Sequence, residues 1–237
     1  MSGAPDAETF PQRGLEVTRL TTFTDAAFAF AAALLAISID DIPGTYAELV
    51  EALKDGPAFV ASLALLLLYW RAHQTWSRRF GLEDLGSVLL TFGLVTVVMI
   101  YVYPLKIMFG AAFHFMSNDW LPLSFSLDSL DQFRGLLTIY GIGFIALNSL
   151  IAALYFRAWQ QRAALGMSAR ERFDCISEVV AWLIVGSFGG ISILLAWILP
   201  DGRLAVAAWV YMLLAVAGPV ISITQARLAQ RRLADAD

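Results

Sequence analysis

Six long apolar stretches, separated by gaps whose charge alternates in sign, constrain this chain more than any single motif does. They run Thr22–Ile39, Pro57–Trp76, Leu85–Phe109, Phe133–Phe156, Ile176–Leu199 and Leu204–Ile223. Each is about 18–25 residues long, roughly 27–37 Å as a helix, which matches a hydrocarbon core of about 30 Å. A chain of 237 residues that is 59% hydrophobic, with a mean hydropathy of +0.68, would expose large apolar patches if it folded in water. The fold class this dictates is all-α: a polytopic membrane protein with six transmembrane helices.

The gaps orient it. The first is mainly acidic (Asp40, Asp41, Glu48, Glu51 and Asp55 against Lys54), and the second holds Arg71, Arg78 and Arg79 with Glu83 and Asp84. The third is acidic again, with Asp119, Asp128 and Asp131 between Lys106 and Arg134, while the fourth carries Arg157, Arg162, Arg170 and Arg172. The fifth is the short Pro200–Arg203 turn, and the C-terminal tail has Arg227, Arg231 and Arg232. Of 16 Lys and Arg residues, only Lys54, Lys106, Arg134 and Arg203 fall on the acidic side. Basic residues stay cytoplasmic. The expectation is a multi-pass protein of the plasma membrane with both termini cytoplasmic and an even number of spans. Asp40 and Asp41 would make the external mouth of any pore negative.

Three segments follow: a flexible cytoplasmic N-terminal tail at 1–18, a six-helix domain at 19–225 and a basic cytoplasmic C-terminal tail at 226–237. The external gap Gly110–Gln132 contains Phe113, Phe115, Trp120, Leu121, Leu123, Phe125 and Leu127. It is too apolar for a free loop, and is expected to lie as a short helix or folded cap at headgroup depth. Thr45–Leu53 reads as another short helix, ended by Asp55-Gly56-Pro57. Arg170–Asp174 leads into the fifth span, with Asp174 placed to serve as a cap carboxylate.

Several functions are excluded or disfavoured. The net charge of −4 is too small to imply a charged partner, and the arginines are too scattered for a nucleic-acid stripe. Cys175 is the only cysteine, which rules out an intramolecular disulfide and any multi-cysteine site; its simplest role is a small buried apolar group. His73 and His114, the only histidines, fall on opposite sides of the membrane and cannot share a metal. No phosphate-binding glycine loop and no Ser-His-Asp spacing within one compartment occurs. Neither an enzyme activity nor a cofactor is expected.

Chemistry concentrates in the first span. Asp25 lies a turn inside the apolar stretch, where a lipid-facing carboxylate would cost several kcal/mol. It is therefore expected to face protein and to accept hydrogen bonds from a basic-side partner, near the depth of Arg71, His73 and Trp76. Thr24 has two options, bonding back to a carbonyl or donating to that network. Seven alanines (Ala26, Ala27, Ala29, Ala31, Ala32, Ala33, Ala36) make the helix slim. One stripe stays bulky: Phe23, Phe30, Leu34 and Ile37, at steps that keep side chains on one side. Periodicity alone leaves two readings open, a helix–helix seam or a pore wall of stacked apolar rings that gates by dewetting.

The run Arg19-x-x-x-Phe23-Thr24-Asp25-x-x-Phe28-Ala29 resembles the signature of the TMEM175 potassium-channel family, Arg-x-x-x-Phe-Ser-Asp-x-x-Phe-Ala in its bacterial form. The aromatic-Trp70-x-x-His73 ending of the second span, a basic turn and a long third span are similar to that family too. The resemblance implies a prokaryotic single-repeat member, a homotetramer embedded in the bilayer that passes potassium and other monovalent cations. It implies a pore lined by the first span, with a hydrophobic side-chain constriction at Phe30, Leu34 and Ile37 instead of a carbonyl filter. It implies that Arg19 and Asp25 hold the first span in an interhelical polar network in which His73 takes part, Thr24 standing where the family has serine.

Two departures bear on selectivity. Ala33 stands where many members have threonine, and Phe30 replaces isoleucine at the narrowest layer. Four phenyl rings around an axis either seal a pore or rotate to leave a different aperture. The alternatives to a potassium channel are a non-conducting or differently selective scaffold of the same fold, and a small transporter. The transporter is favoured by Gly141, Gly143, Gly186, Gly189, Gly190 and Pro219, since transporters break helices at such residues.

Overall fold

The structure, a computed structural model, describes residues 11–37, 43–123, 125–214 and 218. The chain forms α1 (Arg19–Ile37), α2 (Tyr46–Lys54), α3 (Gly56–Phe80), α4 (Leu85–Met116), α5 (Leu130–Gln160), α6 (Ala169–Ile198) and α7 (Ala205–Trp209). Short 3-10 turns flank α7 at Asp201–Arg203 and Val210–Leu213.

Short polar side chains at their caps start these helices where the apolar runs begin. Thr45 accepts from the Glu48 amide at the head of α2, Asp84 from Gly86 at α4 and Ser129 from Gln132 at α5. At α6 Ser168 and Glu171 form a reciprocal capping box, so the cap lies there and Asp174, expected in that role, pairs with Arg79 at 3.7 Å. Gly81 ends α3 in the left-handed region at φ 60, a conformation that glycine adopts without a Cβ penalty. Asp55 closes α2 and opens α3, so the two run as one long rod with a break at the residue before Gly56-Pro57.

Among the described residues five helices are long and apolar enough to cross a membrane: α1, α2 with α3, α4, α5 and α6. The sixth expected stretch, Leu204–Ile223, is described only to 214 and at 218. The expected C-terminal tail and the first ten residues of the N-terminal segment lie outside the described residues. The remainder of that segment lies against the helices: the Gly14 amide donates to the Arg78 carbonyl at 3.0 Å and Arg13 pairs with Glu171 at 2.7 Å. The expected separate cap at Gly110–Gln132 is replaced in its first third by an extension of α4 to Met116. Asn118 and Asp119 then turn the chain with φ 53 and 65. His114 donates from Nδ1 to the Leu121 carbonyl at 2.7 Å, which holds that turn closed.

The core is a bundle in which α5 and α6 run antiparallel in close contact. Cys175 sits beside Tyr155, its Sγ donating to the carbonyl at 3.0 Å; Gly186 lies against Asn148, and Gly189 against Gly141. A Cβ on Gly141 would stand 3.0 Å from the Gly189 carbonyl oxygen, and one on Gly189 would stand 2.8 Å from that of Gly141. Gly141, Gly186 and Gly189 thus serve helix contact, while a Cβ on Gly190 would meet nothing within 4 Å. Indole and phenol groups fasten the remaining helices: Trp76 Nε1 donates to the Leu154 carbonyl at 2.8 Å, and the Tyr101 hydroxyl to that of Tyr140 at 3.1 Å.

Ion pairs close the two ends of the bundle separately. Arg13–Glu171, Arg79–Asp174 and Arg157–Asp84 lie at one end; Lys106–Asp55 and Arg134–Asp201 lie at the other. Every pair joins residues from gaps of the same parity, as the alternating charge pattern requires.

Candidate functional site

The first helix has two unlike faces. Thr24, Ala27, Phe28, Ala31 and Leu35 are buried against α3 and α4, at a spacing of three and four residues that keeps them on one side. About a third of a turn away the bulky stripe stands largely bare: Phe23 is 50% exposed, Phe30 56% and Ile37 74%. Leu34, half-buried, leans toward the core. Phe28, two residues from Phe30 on the same helix, is only 6% exposed. The alanines Ala26, Ala29, Ala33 and Ala36 are exposed as well. Among the described residues the protomer thus covers one side of α1 and leaves Phe23, Phe30 and Ile37 on the other largely exposed.

The polar residues predicted to hold α1 are distributed over three separate contacts. Asp25 accepts a hydrogen bond from the indole Nε1 of Trp70 at 2.8 Å, joining α1 to α3. His73 Nε2 lies 3.0 Å from the Thr91 hydroxyl, joining α3 to α4 in a fully buried position. Thr24 donates to the carbonyl of Leu20 in its own helix at 2.8 Å, the first of the two options open to it. Arg19 is exposed at the first residue of α1, and among the described residues no ion pair joins it to Asp25. Asp40 and Asp41 lie outside the described residues.

Three further contact residues were not singled out from the sequence. Thr91 is the hydroxyl opposite His73, one of three hydroxyl residues in the third apolar run with Ser87 and Thr96, and nothing in the sequence singles it out from them. Thr21 and Ser77 approach each other at 3.4 Å between α1 and α3; nothing in the sequence marked that pair.

Near the basic end, Asp84 receives Arg157 Nε at 2.9 Å and Nη2 at 2.6 Å on one carboxylate oxygen. Ser87 donates to the other oxygen at 2.7 Å. Burial works against the Asp84 charge, but the hydrogen bonds and charge of Arg157 outweigh it and hold the carboxyl below its ordinary value of 3.8. Among the described residues no group of three or more His, Cys, Asp or Glu side chains is gathered for a metal.

A bundle of membrane-length helices that leaves one apolar stripe of a slim, polar-anchored helix uncovered belongs to the class of polytopic membrane proteins with a face left for lipid or for another subunit. The sequence model of the family described as "Endosomal/lysosomal potassium channel TMEM175" matches residues 19–104, which hold α1 through most of α4. A curated protein of Marivirga tractuosa named "Potassium channel" is 32% identical over 202 residues, covering 82% of this chain and 80% of that relative. A crystal structure of the potassium channel MtTMEM175, a threonine-to-alanine variant in complex with a nanobody–MBP fusion, is similar with a TM-score of 0.78 and 29% identity. It covers 98% of this chain and 100% of that chain. The chain belongs to the TMEM175 potassium-channel family, whose work is transport and not catalysis.

That family description corrects one expectation. It names endosomes and lysosomes, not the plasma membrane. Span length and arginine bias report a bilayer and an orientation, and neither property carries an organelle address.

Proposed function

We propose that this chain is one subunit of a homotetrameric, potassium-permeable channel with six membrane helices per subunit, α1 lining the central axis. Phe30, Leu34 and Ile37 form its hydrophobic constriction, and Asp40 and Asp41 its acidic mouth. Asp25, bonded to Trp70, holds α1 at the angle that presents the stripe, and His73 fastens α3 to α4 behind it. The observation that carries this reading is the contrast between the two phenylalanines, Phe30 at 56% exposure and Phe28 at 6%.

The mechanism follows from apolar width. A ring of bulky side chains offers no ligand to replace an ion's hydration shell, so the ion must pass it partly hydrated across a short zone. The acidic mouth concentrates cations before that step, and salt weakens the effect. Phe30 and Ala33, where the family has isoleucine and threonine, shift the aperture and the balance between potassium and sodium. The relatives named as potassium channels support the choice of ion.

Full-length protein in liposomes tests the reading. Potassium flux above empty-vesicle background, together with a tetrameric mass in detergent by light scattering, is the expected result. A monomeric mass would remove the pore, because a single α1 encloses nothing. Single cysteines at Ser2 and Ala234, in a Cys175→Ser background, test the helix count: both are expected to label from the same side of sealed vesicles. Labelling from opposite sides would give an odd number of spans.

A further inference from the structure

An apolar cavity at the acidic end of the bundle carries a largely buried pair of opposite charges. It has a volume of about 170 Å³ and is lined by Asp55, Tyr103, Lys106, Ile107, Leu123 and Phe125, with Gly110 in its wall. That is over ten times the roughly 10–15 Å³ that admits one water. Lys106 Nζ stands 2.8 Å from Asp55 Oδ2, with the side chains only 11% and 12% exposed. We infer that this cavity is a binding site for the headgroup of a zwitterionic phospholipid carrying a primary ammonium and a phosphate, the phosphatidylethanolamine class.

Depth, charge and shape each support the assignment. Lys106 lies about 30 Å along α4 from Leu85 at the basic end, a full hydrocarbon thickness away, so the cavity opens at the acidic-side headgroup layer. Asp55, at the far end of α3 from Arg78 and Arg79, reaches the same level. Tyr103 is half-exposed there, and Lys54 stands 5.6 Å over the Trp120 ring nearby, an aromatic composition that suits the interface.

The charges match the headgroup one for one. A carboxylate has two oxygens and an ammonium three protons. The Asp55–Lys106 pair can therefore keep its mutual bond while Asp55 accepts from the lipid ammonium and Lys106 donates to the phosphate. A trimethylated ammonium has no proton for Asp55, and an uncharged glycerol head has no cation for it. On α4 the residues Ile107, Tyr103 and Ile100 form one stripe at steps of four and three. Ile100 is exposed at the membrane-ward end, where an acyl chain would descend. This inference needs membrane embedding only and does not rest on the pore reading.

Gly110 supplies the variant. A Cβ there meets nothing within 4 Å, so Gly110→Leu fills the cavity wall without striking backbone, and leucine favours the helix over glycine. Gly135 on α5 is equally open and does not line the cavity, so Gly135→Leu is the matched control. Full-chain protein in detergent would be titrated with phosphatidylethanolamine, phosphatidylcholine and phosphatidylglycerol of identical acyl chains, and retained lipid counted by native mass spectrometry. Phosphatidylethanolamine is expected to be retained at one per protomer in preference to the other two. Lys106→Gln should weaken that retention about tenfold, the scale of losing one charge-assisted hydrogen bond, and Gly110→Leu should weaken it by occupying the cavity, while Gly135→Leu keeps it. Free phosphoethanolamine at the same concentration should not displace the lipid. Equal retention of the three lipids, wild-type retention by Gly110→Leu, or displacement by the free headgroup would each overturn the assignment.

Discussion

The α5–α6 pair and α1 are both membrane helices of one chain, yet they satisfy themselves in opposite ways. The α5–α6 pair buries its contact inside the protomer, with backbone against backbone at Gly141 and Gly189. The first helix is covered on one side and leaves Phe23, Phe30 and Ile37 largely exposed among the described residues. The scaffold pair is covered within one chain, whereas the other side of α1 is left for lipid or for further copies. In a bilayer lipid can also cover such a stripe without penalty, so the polar anchor at Asp25 is what argues for a protein-lined position.

The comparison breaks most decisively at Gly141. A leucine there must displace the Gly189 carbonyl or the Ile193 side chain, so Gly141→Leu is expected to lose folded protein outright, at a cost of several kcal/mol from overpacking and helix separation. Size-exclusion profiles and thermal unfolding in detergent read this directly. Next comes Phe28→Ala, which empties a buried site on the covered side of α1. About 3–5 kcal/mol of stability should disappear, visible as a lower melting temperature, with any remaining protein still impermeable to larger cations. Asp25→Ala should act on assembly: the Trp70 N–H loses its acceptor at a cost of about 1–3 kcal/mol, and the tetramer fraction in light scattering should fall. Wild-type assembly with altered selectivity would instead put Asp25 in the ion path.

The smallest effect concerns Asp84 at the basic end. Its folded carboxyl titrates below the ordinary value of 3.8, so its contribution is complete above that value and is lost as pH falls through the lowered one. The pair is about three-tenths exposed on both sides, so solvent screening keeps the effect within about 1 kcal/mol. Asp84→Asn keeps the helix cap and removes the charge. Its melting temperature should trail the wild type near neutral pH, and the gap should close only as pH falls through the lowered carboxyl value; a gap that stays constant through the acid range would assign the loss to the cap.

Much of the fold was legible because membrane physics writes it in long runs. Five of the apolar stretches became helices with boundaries a few residues wider, since caps such as Ser129 and Ser168 sit outside the hydrophobic window. The stripe on α1 could be read from spacing, and the signature at Arg19–Ala29 gave it a family. Contacts between helices were less visible. Thr91 opposite His73, and Arg157 on Asp84, depend on which faces meet, and a sequence window does not contain that information. The glycines of α5 and α6 carried a false hint of broken helices, because a residue that permits a break also permits close approach. Organelle identity was not written in the spans at all.

The account stands on which phenylalanine faces the axis. Potassium and sodium flux should be measured in liposomes holding equal amounts of wild type, Phe30→Ala and Phe28→Ala, each shown beforehand to be tetrameric. In the proposed tetramer Phe30→Ala would remove four rings from one layer and leave Leu34 and Ile37 as the remaining barrier, so flux should rise and discrimination between the two cations should fall. Phe28→Ala should conduct as the wild type does, in whatever fraction remains folded. The opposite pattern, Phe28→Ala opening the pore while Phe30→Ala changes nothing, would contradict the assignment of the conducting face.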